Sequence, residues 1–354
     1  MNTLFDPFTL RGVTFQNRVW VSPMCQYSAT DGFVGAWHSA HLGAFATGAP
    51  GLIMVEATGV VPEGRISIGC PTIEDDAHAK AFAPMVEFAH SQGVKMGIQL
   101  AHAGRKASTM RPWDEKRMAE IGEGGWQAVS STAVAFEGYP APRALTVEEI
   151  GQLVKDFADA ARRAVAVGFD VIEIHAAHGY LLHQFYSPIS NDRTDEYGGS
   201  FENRIRFLLE TTKAVRNAIP ATTPLMVRIS ATDWADNGWN LIDSIELCTQ
   251  LKTLGVDLID VSSGGAIHNA KIDAKPNFQV PFASAIRTEA NIPTAAVGLI
   301  TEPEQAEHII ATGEADAVFL ARAMLRNPRW ALMASEKLGH RIDWALPLDR
   351  GRTA

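Results

Sequence analysis

Cysteine is scarce in this chain: Cys25, Cys70 and Cys248 are the only three in 354 residues. Odd in number and far apart in sequence, they exclude a disulfide framework, a CxxC metal knuckle and an iron-sulfur cluster held by four thiolates. No GxGxxG opens a helix after a strand, so a separate Rossmann domain is not expected. HExxH is missing too, and with it the commonest helix-borne zinc site. No apolar run approaches a membrane span, and MNTLFDPFTLRG lacks a basic region followed by an apolar core, which reads as a soluble cytoplasmic protein. Positive charge is in deficit, with 31 Lys and Arg against 40 acidic residues and a net charge of -9. That argues against nucleic acid or an anionic membrane as a partner.

What is present is an alternation of short β-branched runs with amphipathic helical patterns, the signature of a parallel sheet wrapped by helices. Candidate strands run from Arg18 to Val21, Gly51 to Val55, Lys95 to Leu100, Val171 to His175, Leu225 to Ile229, Leu258 to Ser262, Thr294 to Val297 and Ala317 to Leu320. Helical patterns include Ala77 to Ser91, Val147 to Val167, Phe201 to Ala218, Leu241 to Leu254 and Glu302 to Thr312. Ser200 suits an N-cap, and Gly93, Gly168, Gly255 and Gly313 suit left-handed residues after helices. Eight βα units predict a single (β/α)8 TIM barrel over residues 1–354, with a doubly wound open sheet as the lesser alternative. Two segments fall outside the pattern. TLRGVTF (9–15) suits a hairpin turning at Arg11 and Gly12 that plugs one end of the barrel. Residues 107–146 far exceed an ordinary βα loop and predict a lid after the third strand.

Each candidate strand ends in something chemically distinctive, and a barrel gathers those ends on one rim. Val171 to Arg204 is the richest stretch: apolar Val171, Ile172 and Ile174 give way to His175, His178 and Tyr180. Three proton-carrying side chains at one strand end can hold an oxygen and deliver a proton, although packed, hydrogen-bonded histidines are the plainer reading. With His102 or His38 as a third ligand, the histidines also suit a metal-dependent barrel hydrolase.

The runs SPMCQYS (22–28), IQLAHAGRKAS (98–108), HAAHGYLLHQFYSP (175–188) and NDRTDEYGGSFENR (191–204) together resemble the old yellow enzyme family of flavin-dependent ene-reductases. The cysteine in SPMC points to its thermophilic-like bacterial subgroup, which includes xenobiotic reductases. The resemblance implies FMN bound tightly without a covalent link, and NADPH or NADH as hydride donor. It places Ser22, Pro23, Met24, Cys25, Ala57 and Gln99 along the flavin, with the Cys25 thiol tuning its potential. Arg228 would stand beside the flavin edge that becomes negative on reduction, the alternative being an interior ion pair with Glu173 or Glu56. Gly298, Ala321 and Arg322 would hold the phosphate, Ala321 standing where the family usually has glycine.

The implied reaction is reduction of the activated C=C bond of an enone or enal. His175, His178 and Tyr27 would bind the carbonyl, and Tyr180 would protonate the α-carbon. By the same resemblance the C-terminal tail, residues 339–354, lies at a homodimer interface, with a tetramer of paired dimers as the further option. There Arg350, with Arg352 as competitor, reaches the neighbour's substrate site. A flavin-dependent redox sensor acting through Cys25, without turnover of enones, is the remaining alternative.

Overall fold

The computed structural model describes residues 2–352; Met1, Thr353 and Ala354 lie outside the described residues, and with them the last two positions of the tail. The chain opens with a hairpin of β1 (Phe8–Leu10) and β2 (Val13–Phe15), paired antiparallel with Leu10 opposite Val13. The turn falls at Arg11 and Gly12 as expected. Arg11 takes a left-handed φ of 48° and is held by Asp257, at 2.6 Å, and by the carbonyls of Ala221 and Gly255.

β3 (Val19–Val21), β4 (Leu52–Gly59), β5 (Lys95–Ala101), β8 (Val171–Ala176), β9 (Leu225–Ser230), β10 (Leu258–Ser262), β11 (Thr294–Val297) and β12 (Ala317–Leu320) close into a barrel in that order. Every neighbouring pair is parallel. Between them run α1 (Ala36–Ala46), α2 (Asp76–Ser91), α3 (Val147–Ala166), α5 (Phe201–Ala218), α6 (Leu241–Thr253), α7 (Val280–Glu289) and α8 (Pro303–Ala311). Short α4 (Leu181–Tyr186) follows β8, and α9 (Arg322–Arg326) and α10 (Trp330–Lys337) follow β12. The four glycines expected after helices all have positive φ, and the Ser200 hydroxyl accepts from the Asn203 N–H.

Strand alternation sorts the core into two. Ile172, Ile174, Val227, Ile229 and their counterparts face outward under the helices. Trp20, Leu52, Val171, Met226 and Leu258 face inward and fill the lower barrel, where Phe8, Leu10, Val13 and Phe15 of the hairpin pack against them. Residues 107–146 carry a small parallel pair, β6 (Val129–Ser130) with β7 (Arg143–Ala144). They dock on the rim through the bond from Ser131 Oγ to the Ser190 carbonyl and the Arg193 bonds to the Ser131 and Leu145 carbonyls.

The tail is largely exposed. Leu346–Gly351 form a 3-10 turn, and Trp344, Leu346 and Pro347 line a cavity with Gln16, Thr47 and Gln92, at the end of the barrel opposite the strand C-termini.

Candidate active site

The rim is built outward from β8. His175 is its last inward-facing residue, opposite Arg228 on β9. The chain then turns sharply: His178 has a φ of 60°, and a Cβ on Gly179 would sit 2.0 Å from the Gly265 carbonyl. A left-handed histidine persists only where its surroundings over-determine it. Here Ser230 Oγ accepts the His178 N–H at 2.9 Å, and Lys106 Nζ donates to the carbonyls of His178 and Gly265 at 2.8 and 3.2 Å.

This turn brings the three expected side chains together. The His175 ring lies 5.1 Å from that of His178 and 5.1 Å from that of Tyr180, edge-on to both. Burial, and then the charge of Arg228, depress both histidines well below their ordinary range, so both imidazoles are neutral. His175 Nδ1 accepts the Ala177 N–H, leaving its proton on Nε2. His178 Nε2 lies 2.7 Å from Ser262 Oγ. Gln279 Oε1 already takes the Ser263 hydroxyl at 2.6 Å, against 3.4 Å from Ser262, so we assign the Ser262 proton to His178 Nε2 and the imidazole proton to Nδ1. Tyr180 is raised well above the usual phenol range by burial and the nearby Cys25 thiol, and remains a phenol.

The arm between β3 and α1 supplies the facing wall. Ser22 is anchored to the Leu320 carbonyl, and Gln26 N–H bonds Glu56. Cys25, Tyr27 and Tyr180 pack on one small apolar cluster that contains Ala57, Cys70 and Ala101. Pro23 and Met24 lead into that arm, Met24 packing on the main core. Tyr27 has a φ of 52° and stands edge-on to Trp113 of the long excursion. The Cys25 thiol is pushed well up by its hydrogen bond with Cys70 and by burial, so it is a neutral thiol.

Below the histidines lies a charged layer that the sequence reading only touched. Gln99 Nε2 donates to Glu173 Oε1 at 2.7 Å, and Arg228 Nε lies 3.1 Å from Asp260 Oδ2. The interior ion pair of Arg228 is therefore with Asp260, not with the Glu173 or Glu56 proposed from sequence. Glu56 instead faces His38 at 3.3 Å.

At the tops of β10 to β12 a cavity of about 320 Å³ is lined by Ser262, Gln279, Gly298, Thr301, Ala321 and Arg322. Gly298 has a φ of 113°, and a Cβ there would strike Gln279 Nε2 at 2.5 Å. Ala321 has a negative φ of -104°, so no left-handed conformation demands glycine there. This cavity and the partnerless Arg228 Nε, buried beside it on the sheet, fit the phosphate and the polar ring edge of FMN.

Arg350 is exposed, among the described residues has no partner, and leaves from the opposite end of the barrel; Arg352 is held by Asp349 and the Ile342 carbonyl. The hydrolase alternative finds no third ligand, because among the described residues the sets able to hold a metal are Cys25, Glu56, Cys70 and Glu74, Asp75, His78. Lys106, Ser262, Cys70, Glu173 and Asp260 were missed as site residues. For the last two the signal was there: in VIEIH and LIDVS, alternation sets Glu173 on the face of His175 and Asp260 on that of Ser262.

The comparisons agree with this geometry. Residues 3–340 match the NADH:flavin oxidoreductase / NADH oxidase family. An NADPH dehydrogenase of Geobacillus thermodenitrificans is 48% identical over 99% of both chains, and one of Bacillus subtilis is 45% identical over 98% of both. Morphinone reductase in complex with tetrahydroNAD superposes with a TM-score of 0.80 at 27% identity, covering 98% of this chain and 93% of that one. An old yellow enzyme homologue from Zymomonas mobilis gives 0.79 at 29%, over 98% and 96%. Across nearly its whole length, then, the chain belongs to the NADH:flavin oxidoreductase / NADH oxidase family, the old yellow enzymes, an oxidoreductase with FMN as cofactor and NADPH or NADH as hydride donor.

Proposed function

We propose that this oxidoreductase is an ene-reductase of the NADPH dehydrogenase type, reducing the activated C=C bond of α,β-unsaturated carbonyl compounds. The observation that carries the reading is the trio of neutral proton donors His175, His178 and Tyr180 at the end of β8, the His175 ring 5.1 Å from each of the other two. FMN, when bound, would supply the hydride chemistry there, with NAD(P)H as the donor. His175 Nε2–H and the His178 ring hold the carbonyl oxygen, and Tyr27 shares that contact. Being neutral, they polarise the alkene without needing to be charged at pH 7. Tyr180, kept protonated by its buried setting, gives its proton to the α-carbon. Ser22, Pro23, Met24, Ala57 and Gln99 would hold the ring system, Arg228 its polar edge and Gly298, Ala321 and Arg322 the phosphate, and Cys25 would tune its potential. The excursion of residues 107–146 acts as lid.

The test is anaerobic: NADPH bleaches the yellow protein, and 2-cyclohexenone restores its colour. Bleaching without recovery would leave a flavin protein that does not act on enones. Three free thiols suit the reducing cytoplasm. The exposed, partnerless Arg350 supports a homodimer, and a tetramer built from it, in which the tail serves the neighbouring site. Deleting Asp349 onward is expected to raise KM several-fold with FMN retained; a truncated enzyme with unchanged KM, or a monomer by light scattering, contradicts this.

A further inference from the structure

Four consecutive barrel strands each present one polar side chain to the interior beneath the rim: Gln99, Glu173, Arg228 and Asp260. Register sets Gln99 opposite Glu173 and Arg228 opposite Asp260. Both carboxyl side chains are fully buried, and the guanidinium between them is 7% exposed. Glu173 Oε2, both oxygens of Asp260 and Arg228 Nε have no hydrogen-bond partner, the ion pair being close but poorly aligned. Two carboxylates around one cation would leave an uncompensated negative charge in a dry interior, so one proton belongs on the pair. Burial raises both carboxyls, and the charge of Asp260 raises Glu173 further, up to about 8. Of the other groups near this layer, Gln99 and Ser262 are uncharged and His175 is neutral, while Lys106, lowered by burial to about 8, is held at the His178 turn by the His178 and Gly265 carbonyls.

We propose that the Glu173–Arg228–Asp260 cluster is a proton store coupled to the redox state of the site. When the C–H bond of NAD(P)H breaks, two electrons and one hydrogen nucleus enter the cavity and the nicotinamide is oxidised. At alkaline pH, where the pair has given up the proton it otherwise holds, the negative charge this leaves opposite Arg228 draws one proton from solvent back onto the carboxyl pair. The site's net charge is then unchanged, and the proton departs when the hydride passes to the acceptor. This rests on the placement of Arg228 against the cofactor proposed above.

The experiment is potentiometric titration of the holoenzyme from pH 6 to 10. One extra proton per two electrons steepens the reduction equilibrium tenfold per pH unit, about 30 mV. Wild type is expected to show that steepening above about pH 8, Glu173→Gln to lack it, and Glu173→Asp to regain it. Parallel curves for wild type and Glu173→Gln overturn the proposal. Arg228→Lys separates the two readings: a potential equal to wild type refutes the placement of Arg228, whereas a shifted potential with no Glu173-dependent slope refutes only the proton store. Should Glu173→Gln fail to hold FMN, reduction-induced infrared difference spectra of wild type decide. A protonated-carboxyl band that appears on reduction at alkaline pH and moves with 13C-labelled glutamate or aspartate supports the store; its absence overturns it.

Discussion

Two floors of the same barrel, one step of two residues apart along each strand, behave in opposite ways. On the lower floor Val171, Met226 and Leu258 meet Trp20, Leu52 and Phe319, and Phe15 of the hairpin closes them off. On the floor above, the same strands offer Glu173, Arg228 and Asp260, all buried and several of their polar atoms unpaired. The first arrangement stabilises through apolar burial, at about 25 cal/mol per Å² removed from water. The second costs stability, since buried charges lose more hydration than an imperfect pair returns. The cofactor site proposed above gives a reason to keep such a layer directly beneath the rim. The lower floor makes that tolerable.

Breaking the upper floor has the largest effect. Arg228→Met is expected to cost about 3–5 kcal/mol, because it strands two buried carboxyls, and to abolish FMN retention. Both carboxyls are raised, so the deficit shrinks as pH falls and they take up protons. Thermal melts at pH 5 and 8 check this, and an equal deficit at both contradicts it. Two residues earlier on the same strand, Met226→Ala is expected to cost about 2–5 kcal/mol through transfer and cavity terms. There the visible spectrum and potential of the holoenzyme should stay at wild-type values; a moved potential would mean the floors are not separate. The smallest effect concerns pH alone. A carboxyl raised on folding stabilises below its unfolded value of 4.5 and loses that contribution as pH rises through about 8. The apoprotein Tm should therefore fall over that interval less steeply in Glu173→Gln than in wild type, the remainder coming from Asp260 and Glu56, which are also raised. Identical slopes would place the Glu173 proton elsewhere.

The barrel was legible because period-2 and period-3.6 patterns depend on local burial, and glycines such as Gly93 and Gly168 mark the helix ends. The strand of Leu52–Gly59 ran past its expected end at Val55, since a bulge there carries Glu56 and Ala57 onward. His175, His178 and Tyr180 were legible as a group because one turn joins them. Lys106 was not: its two carbonyl partners are 72 and 159 residues away in sequence, and nothing local signals them. Cys70 was not legible for the same reason, its contact with Cys25 arising only when the loop before α2 folds against the arm after β3. Arg228 was seen, but its partner was assigned wrongly, because register across β9 and β10 decides between Asp260 and Glu173.

The trio at the end of β8 is assigned to one half of a two-stage reaction, with Tyr180 supplying the proton to the acceptor carbon. Stopped-flow spectroscopy of Tyr180→Phe separates the halves, with reduction by NADPH and reoxidation by 2-cyclohexenone followed in turn. Wild-type FMN content is expected, with a reduction rate within about twofold of wild type. Reoxidation should be slower by about 10²-fold or more, the usual contribution of a positioned acid. Equal slowing of both half-reactions, or unaltered reoxidation, would contradict it.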